Sequence, residues 1–125
     1  MLEISKAVVD ALASDVYQRL PRQFTKTLLQ DHPDLFRPDN AEHLHAFVVR
    51  TLEPARTIGL KSAAALFTFV KLAVFVHPMF YRHPVVHNAL HDAYATPDER
   101  LRNLGTTVPD PVWTEIRKQP GRIIA

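Results

Sequence analysis

The chain has 125 residues, 46% of them hydrophobic, with no cysteine, fifteen Lys/Arg against thirteen Asp/Glu and a formal charge of +2. This length supports one folded domain whose core needs no covalent staples, and the lack of cysteine excludes disulfides and thiolate zinc sites. Basic and acidic residues interleave, seven against eight over residues 1–60 and five against four over 97–125, so no stretch reads as the clustered footprint of nucleic-acid binding.

The opening stretch carries Glu3, Asp10 and Asp15, which does not fit a secretory signal with its basic start and unbroken apolar run. Ile4, Val8, Ala11, Leu12, Val16 and Leu20 recur at helical spacing, with Ser5 placed as a cap. Pro21 is expected to break or kink this helix, because it lacks an N–H and its ring crowds the preceding turn. Phe24, Leu28 and Leu29 carry a second helical piece to about Asp31, and 32–38 reads as a loop. Asp39-x-x-Glu42 has the form of a capping box. It opens a helix from about Asn40 to Ile58 with Leu44, Phe47, Val48, Thr51 and Leu52 inward, a kink at Pro54, an ion pair between Glu53 and Arg56, and Gly59 as the C-terminal cap.

Ser62 starts the central helix, expected over about 62–77. Its segment Ala63–Val76 is nearly all apolar, yet shorter than the roughly 20 residues a membrane span requires. A buried core helix is therefore expected, with Lys71 carrying its ammonium to the surface. His83-Pro84 starts the next helix, with Pro84 suited to the first helical position. Thr96-Pro97-Asp98-Glu99 is a second capping box, opening a short helix to Leu104 that Gly105 stops. Asp110-Pro111 opens the last helix, with Val112, Trp113 and Ile116, and Gln119-Pro120-Gly121 ends it. No strand alternation is present, and three glycines supply few hairpins. The expected fold is all-α: a single-domain orthogonal bundle of about six helices around the central one, over 1–119, with a tail at 120–125.

Four histidines follow the apolar segment, at 77, 83, 87 and 91. Residues four apart share a helix face, so His83, His87 and His91 are candidate metal ligands, with His87 and His91 the better pair. A third ligand would come from His43 or His45. The span His87-Asn88-Ala89-Leu90-His91 lacks the acid of the H-E-x-x-H arrangement, so hydrogen-bonded surface histidines are the simpler reading. No nucleophile elbow or phosphate loop is present. Ser5, Ser14 and Ser62 read as caps or helix-surface residues. The expectation is a protein without catalytic residues or cofactor. The alternative is a metal-binding protein or metal-dependent hydrolase using His83, His87 and His91.

The run Glu53-Pro54-Ala55-Arg56-Thr57-Ile58-Gly59-Leu60-Lys61-Ser62, the apolar helix Phe67–Val76, then Phe80 and Pro84, resembles the core of small helical bacterial proteins encoded in type VI secretion and toxin gene clusters. Met1-Leu2-x-Ile4-Ser5, Ala11-Leu12-Ala13, Pro33 and Arg100-Leu101-x-x-Leu104 extend the resemblance over about 1–104. Here the turn after the apolar helix is Val76-His77-Pro78-Met79, without that pattern's usual glycine and acids. The resemblance implies a cytoplasmic accessory protein, an adaptor, effector chaperone or immunity protein, whose partner is a secreted effector or secretion component. It transfers no catalytic residue. Aromatic and arginine side chains dominate interface energetics. Phe80, Tyr81 and Arg82, in a turn between helices, and Trp113 are therefore the expected contacts for a protein partner or a second copy of the chain, with neither nucleic acid nor membrane involved.

Overall fold

The computed structural model describes residues 6–91 and 95–122, with the side chains of α1 described from Arg19 onward. Among these the elements are α1 (Lys6–Asp31), α2 (Ala41–Ile58), α3 (Ala63–Phe75), α4 (Pro84–Leu90), α5 (Pro97–Arg102), α6 (Leu104–Thr107) and α7 (Asp110–Lys118), with 3-10 turns at Pro38–Asn40 and Phe80–Arg82. The protein is all-α, with no strand among the described residues. The chain groups into two compact units, Met1–Val49 and Arg50–Ala125, where the sequence reading placed a single domain over 1–119. The expected cap at Ser5 and the inward packing of Ile4, Val8, Ala11, Leu12 and Val16 lie outside the described residues and side chains.

In the first unit, α1 continues through Pro21 without ending. Proline removes one backbone donor, a cost of about 3 kcal/mol in a helix interior. The Thr25 hydroxyl donates to the Pro21 carbonyl at 2.6 Å, and Leu20, Phe24 and Leu28 are all buried at a spacing of four. That buried stripe outweighs the proline, because helices in proteins are held mainly by the packing of an apolar face. The expected capping box at Asp39 gives way to the 3-10 turn, whose Asn40 N–H donates to the Arg37 carbonyl at 2.9 Å. α2 then buries Leu44 and Val48.

In the second unit, α2 keeps its helix through Pro54 and ends where Gly59 stands at φ +103°. The Gly59 N–H donates to Arg56 at 3.0 Å and the Leu60 N–H to Ala55 at 3.2 Å, the paired bonds of a Schellman end. Ala55 and Leu60 are buried, supplying the apolar contact that accompanies this motif. Glu53 and Arg56 pair at 4.0 Å, as their spacing predicts. Ser62 caps α3 by accepting from the Ala65 N–H at 3.0 Å. Leu66, Phe69, Val70, Ala73 and Val74 are essentially inaccessible, so the apolar helix is buried as expected. Lys71 is exposed, its Nζ 4.9 Å from the centroid of the Phe67 ring.

Asp98, in the first turn of α5, reaches across to the start of α3. Its two carboxylate oxygens accept from the Lys61 N–H at 3.0 Å and the Ser62 N–H at 3.1 Å. Burial pushes this carboxyl upward, but the two amides, the Ser62 hydroxyl and the Lys61 charge outweigh that and hold it below its ordinary value of 3.8. A depressed folded-state pKa contributes stability that is present above pH 3.8 and lost as pH falls through the folded value. Asp98→Asn is therefore expected to cost about 0.5–2 kcal/mol at pH 7, the range for loss of a cap, and the gap from wild type should narrow as pH falls below 3.8. Urea titrations at pH 7 and pH 3 read both effects. Equal midpoints at pH 7 would show that the carboxylate stabilises nothing.

Thr96 caps α5 through the Glu99 N–H at 3.2 Å. The expected stop at Gly105 is corrected: α5 ends at Arg102 and Gly105 lies inside α6. Gly105 lacks the positive φ seen at Gly59 and Gly121, and the Thr107 N–H closes the turn on the Asn103 carbonyl at 2.9 Å. α7 buries Trp113 and Ile116. Within the segment expected as a tail, Arg122 donates from Nη2 to the Phe75 carbonyl at 2.9 Å at the end of α3.

Candidate protein-binding surface

The turn between α3 and α4 is fixed by two histidines that use both ring nitrogens. Buried His77 accepts from the Met79 N–H at Nδ1, 2.9 Å, and its Nε2 lies 2.8 Å from the Pro120 carbonyl. A carbonyl only accepts, so the ring proton sits on Nε2. His83 repeats the device. Its Nδ1 accepts from the Val85 N–H at 3.2 Å, capping α4, and its Nε2 is 3.3 Å from Glu115 Oε2 on α7. Pro84 follows in the first turn of α4, where its missing N–H costs nothing.

This frame separates the four expected contact residues. Phe80 has no exposed surface. Its ring lies 4.9 Å from that of Phe69 at 56°, and 5.7 Å from that of Tyr81, edge-on. Phe80 is thus a core residue, and the expectation that it contacts a partner is corrected. The 3-10 turn directs it back onto α3, where the apolar surface is. Trp113 is corrected likewise: it is buried at 9% exposure, on the inner face of α7 together with Ile116. Tyr81 is half-buried, its ring 5.4 Å from Phe69 and its hydroxyl donating to the Met79 sulfur at 3.5 Å. Arg82 is exposed.

Two further residues join the outer surface. Met79 is 43% and Val85 37% exposed, both large apolar side chains facing solvent. Met79, Arg82 and Pro84 also line a depression of about 440 Å³ with Gln119 and Pro120. Met79 and Val85 thus expose apolar side chains on either side of Arg82 in the sequence, on a turn where His77 and His83 accept the Met79 and Val85 N–H groups.

The histidines expected as ligands do not assemble as a trio. His87 and His91 are exposed, with ring centroids 4.3 Å apart, while both nitrogens of His83 are engaged elsewhere. His91 is held below its ordinary pKa of 6.5 by desolvation, then by the charges of His87 and Arg100. His43 and His45 belong to the first unit. Among the described residues no group of three or more His, Asp or Glu is placed to hold a metal ion, and no helix is long and apolar enough to cross a membrane.

One feature of the first unit was not anticipated. Because α1 is continuous, Arg19, Arg22 and Lys26 fall on one helix face, within an arc of about 60° at 100° per residue. The spacing was present in the sequence, but a break at Pro21 would have assigned Arg19 to a different helix. Arg22 and Lys26 border an open groove of about 760 Å³, lined from α1 also by Thr25, Leu29 and Gln30 and from α2 by Ala41, Glu42 and His45. Comparisons with protein-family models, with curated proteins and with solved structures give no match to this chain.

Proposed function

We propose that this chain is a non-enzymatic protein-binding helical domain, serving a bacterial type VI secretion or toxin module as an adaptor, effector chaperone or immunity protein. The secretion context rests on the resemblance over about residues 1–104. The binding role rests on one observation, the exposed Met79 and Val85 beside Arg82 and the Tyr81 edge, on a turn clamped by His77 and His83. Methionine adapts its shape to a partner, and Tyr and Arg are enriched among residues that carry binding energy. A backbone fixed before binding also lowers the ordering cost of association.

Affinity capture of the N-terminally tagged chain from its own host, with mass spectrometry, tests this reading. One stoichiometric partner from a secretion or toxin cluster is expected. Met79→Asp and Arg82→Glu should each weaken that complex by about tenfold or more while denaturation midpoints stay put, since both side chains are exposed. No partner, from cells where the protein is folded and abundant, would sink the proposal. A metal-binding reading rests on the His87–His91 pair alone, and one equivalent of tightly held zinc in untagged protein would favour it.

A further inference from the structure

We infer that the groove between α1 and α2 in the first unit is a docking site for an acidic amphipathic helix of a protein partner. This rests on the protein-binding reading of the chain but uses none of the residues of the α3–α4 turn. The α1 wall supplies Arg22 and Lys26, both exposed, and Arg19 continues the same face. Between Arg19 and Gln30 α1 carries no acidic residue. Arg22 and Lys26 stand four residues apart, about 6 Å along the axis at 1.5 Å per residue. Two carboxylates at i and i+4 on a helix lying alongside have the same spacing.

The lining of the groove also includes apolar side chains. Leu29 and Ala41 are half-buried there, and the Thr25 hydroxyl is already committed to the Pro21 carbonyl. An amphipathic helix laid in a groove sets its i, i+3, i+4 anchors against such apolar lining. Glu42 lines the α2 wall, so the cationic side chains of the groove stand on its α1 side. That asymmetry, cationic on one wall with an acid on the other, suits a helix with one acidic flank, and two groove cations are fewer than the clustered Lys/Arg of a nucleic-acid footprint.

The probe is a fluorescein-labelled Leu/Glu amphipathic helical peptide, with the matched Leu/Lys peptide as its control, titrated by anisotropy with the full chain. The acidic peptide is expected to bind at least tenfold more tightly than the basic one, and to weaken as salt rises. Arg22→Glu with Lys26→Glu should abolish that preference or reverse it, with helicity unchanged because both side chains are exposed. Met79→Asp, in the other unit, should leave the peptide affinity as it is. That separates failure of this site from failure of the turn surface. Indifference to peptide charge, absence of binding by either peptide, or an unaltered preference in the double variant would overturn the inference. So would displacement of the acidic peptide by an equimolar single-stranded oligonucleotide, which would assign the groove to nucleic acid instead.

Discussion

Replacing Phe80 by Ala is expected to cost about 3–5 kcal/mol of folding stability, the range for truncating a buried aromatic. The total for a domain is commonly about 5–15 kcal/mol, so the variant should be partly unfolded under mild conditions. The reason is geometric. Phe80 is fully inaccessible and packs its ring on both Phe69 and Tyr81, so truncation leaves a cavity in the middle of an aromatic cluster. The two neighbours in the turn give the contrast. Arg82→Ala, at an exposed site, should change stability by no more than about 0.5 kcal/mol, and Tyr81→Ala should fall between the two. Urea unfolding of the three variants measures the order directly. A Phe80→Ala protein as stable as wild type would show that the ring is not in the core and would restore it as a surface contact.

Gly59→Ala is expected to destabilise by about 1–3 kcal/mol, the cost of holding an L-residue in a sparsely allowed backbone region. Gly59 sits at φ +103°, and a Cβ there would approach the Pro97 Cγ to 3.2 Å. Pro97 is the first residue of α5, next to the Asp98 carboxylate that holds the start of α3. The strain would therefore fall on the junction where α2 ends, α3 begins and α5 packs. Gly105→Ala is the internal control. A Cβ at Gly105 meets nothing within 4 Å, and its φ is not positive. In the helical turn of α6, Ala is better than Gly by up to about 1 kcal/mol. The pair should move the denaturation midpoint in opposite directions, and a Gly59→Ala midpoint at or above wild type would refute the account of the Schellman end.

What was legible in the sequence is what short-range chemistry decides. Ser62 and Thr96 accept the amides three residues on, Gly59 ends α2, Pro84 and Pro97 sit in first turns, and Lys71 surfaces beside Phe67. Each depends on residues within one or two turns, so the local pattern fixes it whatever the rest of the chain does. The all-α character follows from the same signals added together.

Tertiary structure decided the rest. Pro21 was expected to break or kink the helix, and the burial of Leu20, Phe24 and Leu28 carries the helix past it without a break. That in turn aligns Arg19 with Arg22 and Lys26 on one face. Phe80 looked like a surface aromatic because no local partner was visible, yet Phe69, eleven residues earlier, receives it. His83 was open to either reading, metal ligand or hydrogen-bonded histidine, and its two nitrogens meet the Val85 N–H and Glu115. Burial and ring-nitrogen partners are set by which distant residues a fold brings together. Spacing along the chain fixes helices and caps, and only packing fixes which side chains are left facing outward to bind.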